Sequence, residues 1–290
     1  MNHVTEKFGA SQEAISHHYD LSNAFYELFL DRHMLYSAAL FRHDNESLEE
    51  GQINKVDYHI ENIALQSPCQ VLDIGCGWGT VLSRLSALGH KTTGLTLSKE
   101  QQKYVNRMAL PHCDVRLENW QDFTPREKFD GIISIGAFEH FAKLEDTQEE
   151  KRTAYKHFFT RCRERFLKPN GKLSLQTFAY GNHVDRQQAK QKASTQFLSD
   201  EIFRETDPPH LTDIFAASRG EFEIVSFRND RFDYARTLKF WLRNLKSRRN
   251  EAIQLVGEQQ YANFVQYLQY SYIGFQTGNL DLYRFEMRAL

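Results

Sequence analysis

Glu139 stands in Gly136-Ala137-Phe138-Glu139-His140, directly after the apolar run Ile132-Ile133-Ser134-Ile135. A carboxylate at the end of a buried strand is costly to bury unless it is paired or put to use. It is therefore either a proton acceptor at a reacting centre or a carboxylate bonded to nearby amides. His140 follows it and offers an imidazole, although neighbouring side chains at a strand end diverge. A second concentration of unusual residues is Val71-Leu72-Asp73-Ile74-Gly75-Cys76-Gly77-Trp78-Gly79. An apolar strand runs into glycines at alternate positions, and a helical pattern begins at Thr80. Glycines there permit positive φ and a close backbone approach to a ligand. Such a turn suits a small polar molecule lying across the carboxyl end of a parallel sheet. Asp73 can orient such a ligand or bond the turn's own amides.

Several ligand chemistries are excluded by spacing. The glycines read G-x-G-x-G, the second strand runs Gly94-Leu95-Thr96-Leu97-Ser98 without an acid at its tip, and no Walker lysine follows. A dinucleotide site would show G-x-G-x-x-G with an acid about 20 residues on. The 12 histidines and the cysteines Cys69, Cys76, Cys113 and Cys162 lack metal-ligand spacing, so no metal is expected.

The elements that must position these residues alternate after residue 70. Strands are expected at Gln70–Ile74, Lys91–Leu95, Asp114–Leu117, Phe129–Ile135, Lys172–Phe178, Glu223–Arg228 and Leu280–Met287. Helical patterns intervene at about 79–89, 99–109 and 150–166, and Lys168-Pro169-Asn170-Gly171 reads as a turn. The alternation predicts a seven-stranded, mostly parallel α/β sheet of Rossmann-like type with helices on both faces. Residues 1–65 read as a helical N-terminal lid and 66–290 as the sheet domain, with a helical insertion at about 179–219 covering the ligand end. Two more helices are expected after residue 230. The stripe Tyr261, Phe264, Tyr267, Leu268 and Tyr272 in them reads as core.

The 290 residues suffice for one large core with an accessory part. A net charge of −2 and a pI near 6.6 disfavour nucleic acid as partner. No window approaches the roughly 18 apolar residues of a membrane span, and the N-terminus lacks a signal peptide's apolar core. With scattered cysteines, a cytoplasmic protein is expected. The basic run Arg243, Lys246, Arg248 and Arg249 is either a solvated helix face or a contact for an anionic membrane or acyl carrier. The apolar residues Ile15, Tyr19, Leu21, Phe25, Tyr26, Leu28 and Phe29 suit a lid over the ligand, or a peripheral anchor.

DIGCGWG resembles the S-adenosyl-L-methionine-binding motif of class I methyltransferases. Further segments resemble the cyclopropane fatty acid synthase family, especially the mycolic acid cyclopropane synthases and methyltransferases. They are HYDLSNAFYELFLD (18–31), MLYSAALF (34–41), LEEGQINKVD (48–57), VLDIGCGWGT (71–80), GLTLSKEQ (94–101), SIGAFEHF (134–141), FLKPNGKLSLQTF (166–178), DYARTLKFW (233–241) and GNLDLYRFEM (278–287). By that resemblance Tyr36 and Ser37 reach the cofactor from the N-terminal part, and Gly75 and Gly77 pass beneath its methionine moiety. Asp73 helps orient the amino group, and Thr96 and Gln101 hold the ribose. Trp120 flanks the adenine, with Leu97 and Ile135 completing the cofactor set. S-adenosyl-L-homocysteine is the implied product.

The family's cyclopropane synthases hold a bicarbonate with a cysteine, a glutamate, a histidine, a tyrosine and a backbone amide. Glu139 and Tyr234 match the glutamate and tyrosine. Ala38 stands for the cysteine and Gln176 for the histidine. Ala38 offers no hydrogen bond and Gln176 no titratable group. The resemblance therefore implies a methyltransferase acting on a carbon or nitrogen nucleophile of a hydrophobic small molecule, in specialised metabolism. Glu139, Tyr234 and His140 form its catalytic set, and Ala38, Phe138, Gln176 and Phe178 its acceptor pocket. Phe138, Phe178 and Tyr36 can equally serve as packing. The alternatives are a lipid-modifying cyclopropane or mycolate-type synthase, and a catalytically silent cofactor-binding partner protein.

Overall fold

The structure is a computed structural model that describes residues 8–11, 13–15, 22–64, 66 and 68–290. Tyr19 and Leu21 of the expected lid lie outside the described residues. Seven strands form one sheet: β1 (Gln70–Ile74), β2 (Lys91–Thr96), β3 (Cys113–Leu117), β4 (Phe129–Ile135), β5 (Leu167–Tyr180), β6 (Phe222–Asn229) and β7 (Leu280–Ala289). Their order is β3-β2-β1-β4-β5-β7-β6, with β7 antiparallel to both neighbours and the other pairs parallel. Every expected strand is present, within a few residues at its ends. Lys168-Pro169-Asn170-Gly171, expected as a turn between helix and strand, instead lies within β5 as an irregularity of its pairing. Leu167 pairs with Phe129, and after the irregularity pairing resumes between Gly131 and Lys172.

Strand alternation divides the core. Val71 and Ile133 face helices α1 (Leu48–Ile63) and α2 (Thr80–Ala87) through Val56, Ile63, Val81 and Leu85. Leu72, Ile74, Ile132 and Leu173 face the other way, toward Tyr155, Phe158 and Phe159 of α4 (Gln148–Arg161) and Ile214 of α5 (Leu211–Ser218). Between these, α3 (Lys99–Arg107) follows β2. Helix starts are set by side-chain caps. Ser47 and Glu50, and Thr147 and Glu150, form reciprocal capping boxes at α1 and α4.

Three helices follow β6 rather than the two expected: α6 (Arg231–Ser247), α7 (Arg249–Val256) and α8 (Glu258–Thr277). Gly257, with φ of 82°, interrupts what would otherwise read as one continuous helix. The helical expectation for the N-terminal part also narrows. Among the described residues it holds for 13–15, Asn23–Tyr26 and α1, whereas 31–47 runs without helix. A second apolar core joins Phe25, Tyr26 and Phe29 to Trp78 of the glycine turn and to Trp241, Phe264 and Tyr267 of the last helices. The stripe on α8 is core, as expected for Tyr261, Phe264, Tyr267 and Leu268. This core stands at the carboxyl edge of β1, so the glycine turn lies between two packed bodies.

Candidate active site

The turn after β1 is built on left-handed backbone that favours glycine. Gly75 has φ of 85°, and a Cβ there would lie 2.7 Å from the Ala137 side chain. Gly77 has φ of 53° and nothing within 4 Å of its would-be Cβ, so its open side faces a cleft. The turn's amides at Gly75 and Cys76 both donate to Leu95 O at 3.0 Å. Asp73 is therefore not spent on the turn. It is buried, its Oδ2 has no hydrogen-bond partner among the described residues, and burial pushes its carboxyl up to about 7.

The cleft encloses about 1080 Å³, part of it open to solvent. Its wall contains Tyr36, Ser37, Asp73, Gly75, Gly77, Thr96, Leu97, Gln101, Trp120 and Ile135, brought together from separate stretches of chain. At one end, Ser98 caps α3 by accepting from Gln101 N at 3.1 Å. Thr96 Oγ1 donates to Gln101 Oε1 at 2.7 Å and accepts from Ser98 N at 3.1 Å. Thr96 thus orients Gln101, leaving the amide NH2 as a donor. Trp120 packs on Phe141 and Phe158. Above it, Phe8 and Gln121 exchange two hydrogen bonds, Phe8 N to Oε1 at 3.0 Å and Nε2 to Phe8 O at 2.8 Å.

A smaller chamber of about 380 Å³ adjoins this cleft and shares Tyr36, Ser37, Gly136 and His140 with it. Glu139, Tyr234, Ala38, Gln176 and Phe178 also line it. Glu139 is 4 % exposed, and its Oε2 accepts from Thr177 Oγ1 at 3.1 Å. Burial raises its carboxyl to about 8, so it is protonated near neutral pH while no cation is beside it. His140 Nδ1 is 2.7 Å from Thr206 Oγ1, and burial lowers the imidazole to about 4. Phe138 is not in this wall. It is fully buried and stacked on Tyr155 at 4.6 Å, so the expectation that it lines the acceptor pocket is corrected in favour of packing.

Gln176 is held from behind. Its Oε1 accepts from Arg284 Nε at 2.8 Å and lies 3.3 Å from His59 Nε2. Arg284 is wholly buried, ion-paired with Asp230, and donates to Ala39 O at 2.8 Å and Ala38 O at 3.2 Å. Guanidinium has no acceptor, so the Gln176 carbonyl must face it and the amide NH2 faces away. Lys55, His59, Thr177 and Arg284 were not singled out from sequence, and Tyr267 was read there only as core. A signal existed for two of them: Gln52, Lys55 and His59 recur on the face of α1 that also carries Val56 and Ile63.

Beyond the chamber, Phe178, Phe203, Tyr234 and Tyr267 also line an apolar channel of about 1370 Å³. Its other walls come from the insertion and α8, including Val184, Leu198, Ile273 and Phe275. Buried Asp207 clamps the insertion to the sheet. It accepts from Lys151 Nζ and Tyr180 OH, each at 2.8 Å, and pairs with Arg186. Among the described residues no cluster of His, Cys, Asp or Glu could hold a metal, and no helix is long and apolar enough to cross a membrane.

Sheet order and glycine turn are those of class I methyltransferases. The chain belongs to the mycolic acid cyclopropane synthetase family, whose model matches residues 6–285. Cyclopropane mycolic acid synthase MmaA2 of Mycobacterium tuberculosis is 33% identical over 303 residues, covering 99% of each chain. The structure of MmaA2 superposes with a TM-score of 0.87 at 32% identity, covering 99% of this chain and 100% of that one. CmaA1, a mycolic acid cyclopropane synthase solved with S-adenosylhomocysteine (SAH) and CTAB, gives 0.85 at 30% identity, covering 97% and 99%. The protein is an S-adenosyl-L-methionine-dependent methyltransferase. The residues present fit that cofactor: Gly77 leaves an open cradle, and the orphaned Asp73 oxygen stands ready for a cation.

Proposed function

We propose that the protein transfers a methyl group to a carbon or nitrogen nucleophile of an elongated, largely apolar molecule, without closing a ring. The observation that carries this is the chamber's composition. Ala38 presents only a methyl group, and the Gln176 carbonyl is taken by Arg284 and His59. The donor-and-base set that would hold and use a bicarbonate is thereby reduced to Glu139, Tyr234 and one amide NH2. The apolar channel supports an elongated acceptor, which enters between the insertion and α8.

When bound, the cofactor supplies an electrophilic methyl group for in-line displacement. The chain's own part is proximity and exclusion of water. Tyr36, whose OH donates to Tyr267 OH at 3.0 Å, and Ser37 divide cleft from chamber. Glu139, buried and otherwise neutral, ionises beside a positive charge and can accept a proton from the acceptor. His140, neutral and bonded to Thr206, orients rather than titrates.

We also propose that the N-terminal segment, 1–65 in the sequence division, serves as the lid, since Phe8, Ala10 and Ile15 border the cleft. Contact with an anionic membrane or acyl carrier through the basic run is less favoured. Arg248 pairs with Glu251 and Arg249 with Glu258. The second reading is ring formation, favoured by the names of the relatives. Incubation with methyl-13C-labelled cofactor and a panel of acyl lipids and apolar amines, followed by NMR of the product, separates the two. A labelled methyl resonance supports the proposal. A labelled cyclopropane methylene, or product formation that stops when bicarbonate is removed, overturns it.

A further inference from the structure

Ser37 sits in the wall shared by the cofactor cleft and the chamber. Its Oγ lies 2.7 Å from Lys55 Nζ, and Lys55 is wholly buried. Burial, and then the nearby Arg284 guanidinium, lower Lys55 to about 7, and an anion beside Ser37 favours the charged form. In that form the ammonium has three donors and no acceptor, so the Ser37 oxygen accepts and its hydrogen points elsewhere. No described residue takes that hydrogen. The same helix fixes the serine's backbone: Gln52, one turn before Lys55, donates to Leu35 O at 3.1 Å and Ser37 O at 2.9 Å.

A buried ammonium needs compensation. The carboxylates near Lys55 are Asp31 and Asp73. Asp31 is engaged by the amides of His33 and Leu35 at 3.0 and 2.9 Å. Asp73 keeps one oxygen without a partner in the cleft wall. The methionine end of the cofactor therefore meets two features in one wall, a free carboxylate oxygen and a serine hydroxyl backed by a cation. That pair complements a zwitterion carrying both an ammonium and a carboxylate.

We propose that Lys55 is a positioning residue: acting through Ser37 Oγ, it turns a hydroxyl hydrogen and a positive field toward the carboxylate of the cofactor's methionine moiety. Asp73 takes the ammonium beside it. Recognition of the amino-acid end is thus divided between the glycine turn and α1, an element outside the motif.

The test is binding of three ligands by titration calorimetry. They are S-adenosylhomocysteine, its decarboxylated analogue, which keeps the amine, and 5′-methylthioadenosine, which lacks the whole amino-acid end. Lys55→Met is expected to weaken S-adenosylhomocysteine about 10-fold or more, in the range of a lost charge-assisted interaction. It should leave 5′-methylthioadenosine within about 2-fold, which a merely structural role would not do. Ser37→Ala should narrow the preference for S-adenosylhomocysteine over the decarboxylated analogue, and the double variant should lose no more than the weaker single one. If Lys55→Met does not fold, Ser37→Ala with the same ligands decides. Equal weakening of all three ligands by Lys55→Met, or an unchanged preference in Ser37→Ala, overturns the proposal.

Discussion

Glu139 is the residue on which the chemistry turns, and its burial makes it measurable without a substrate. In the unfolded chain it titrates near 4.5, and in the folded protein at about 8. Between those values the folded state holds a proton that the unfolded state has released. Stability therefore falls as pH rises across that window. Glu139→Gln removes this contribution, so thermal midpoints of variant and wild type should diverge from pH 5 to pH 8, with the variant gaining. Parallel curves would place the charge elsewhere. Turnover in the same variant should fall by about 10²–10⁴-fold if Glu139 accepts the proton. Gly77 gives a second residue-scale prediction. Gly77→Ala meets no protein atom, so it costs only left-handed strain of about 1 kcal/mol. The methyl group enters the cleft, so affinity for S-adenosylhomocysteine should drop well beyond the loss in stability.

Among the elements, the insertion is tied to α4 by a fully buried ion pair. Lys151 reaches out of α4 to Asp207 and to Pro208 O at 2.8 Å, with both charged groups fully buried. Removing Lys151 leaves Asp207 with Arg186 and Tyr180 as partners, so the loss falls below the about 3–5 kcal/mol of a buried charge left wholly unpaired. Lys151→Met should show that loss in urea unfolding. It should raise the KM for the acceptor more than the Kd for S-adenosylhomocysteine, because the insertion walls the channel and not the cofactor cleft. An equal effect on both ligands would mean that the clamp supports the whole sheet. Helix α1 anchors the proposed N-terminal lid segment to the sheet. It packs on β4 and β5 and supplies Gln52, Lys55 and His59 to the site from below.

At the scale of the molecule, two cavities with no lining residue in common meet at one small chamber. The glycine turn and the sheet edge bound the cofactor cleft, and the insertion and α8 bound the channel. Separate access for donor and acceptor follows. A bulky side chain in the channel should therefore leave cofactor binding untouched. Thr195→Trp, on a channel wall formed by the insertion, should lower kcat/KM for an elongated acceptor about 10-fold or more, through the contacts and near-attack alignment that it displaces. The affinity for S-adenosylhomocysteine should remain within about 2-fold. A short acceptor should be less affected than a long one, which kinetics on a chain-length series would show.

The sequence by itself determined the sheet, because buried strands and amphipathic helices carry local periodicities and the turn after β1 needs glycine wherever it is placed. Gln70–Ile74 and Phe129–Ile135 were legible to the residue for that reason. The glycine turn and the segments around it also brought Tyr36, Thr96, Gln101 and Trp120 into view by resemblance. Helix punctuation was less legible: nothing local made Gly257 a break rather than an interior glycine. The tertiary structure alone decided what each polar group faces. Phe138 and Glu139 are adjacent, yet one is sealed in the core and the other opens on the chamber. Gln176 became a donor only because Arg284, 108 residues away, claims its carbonyl. Hydrogen-bond direction and desolvation depend on neighbours that are distant in the chain, and no local pattern encodes them.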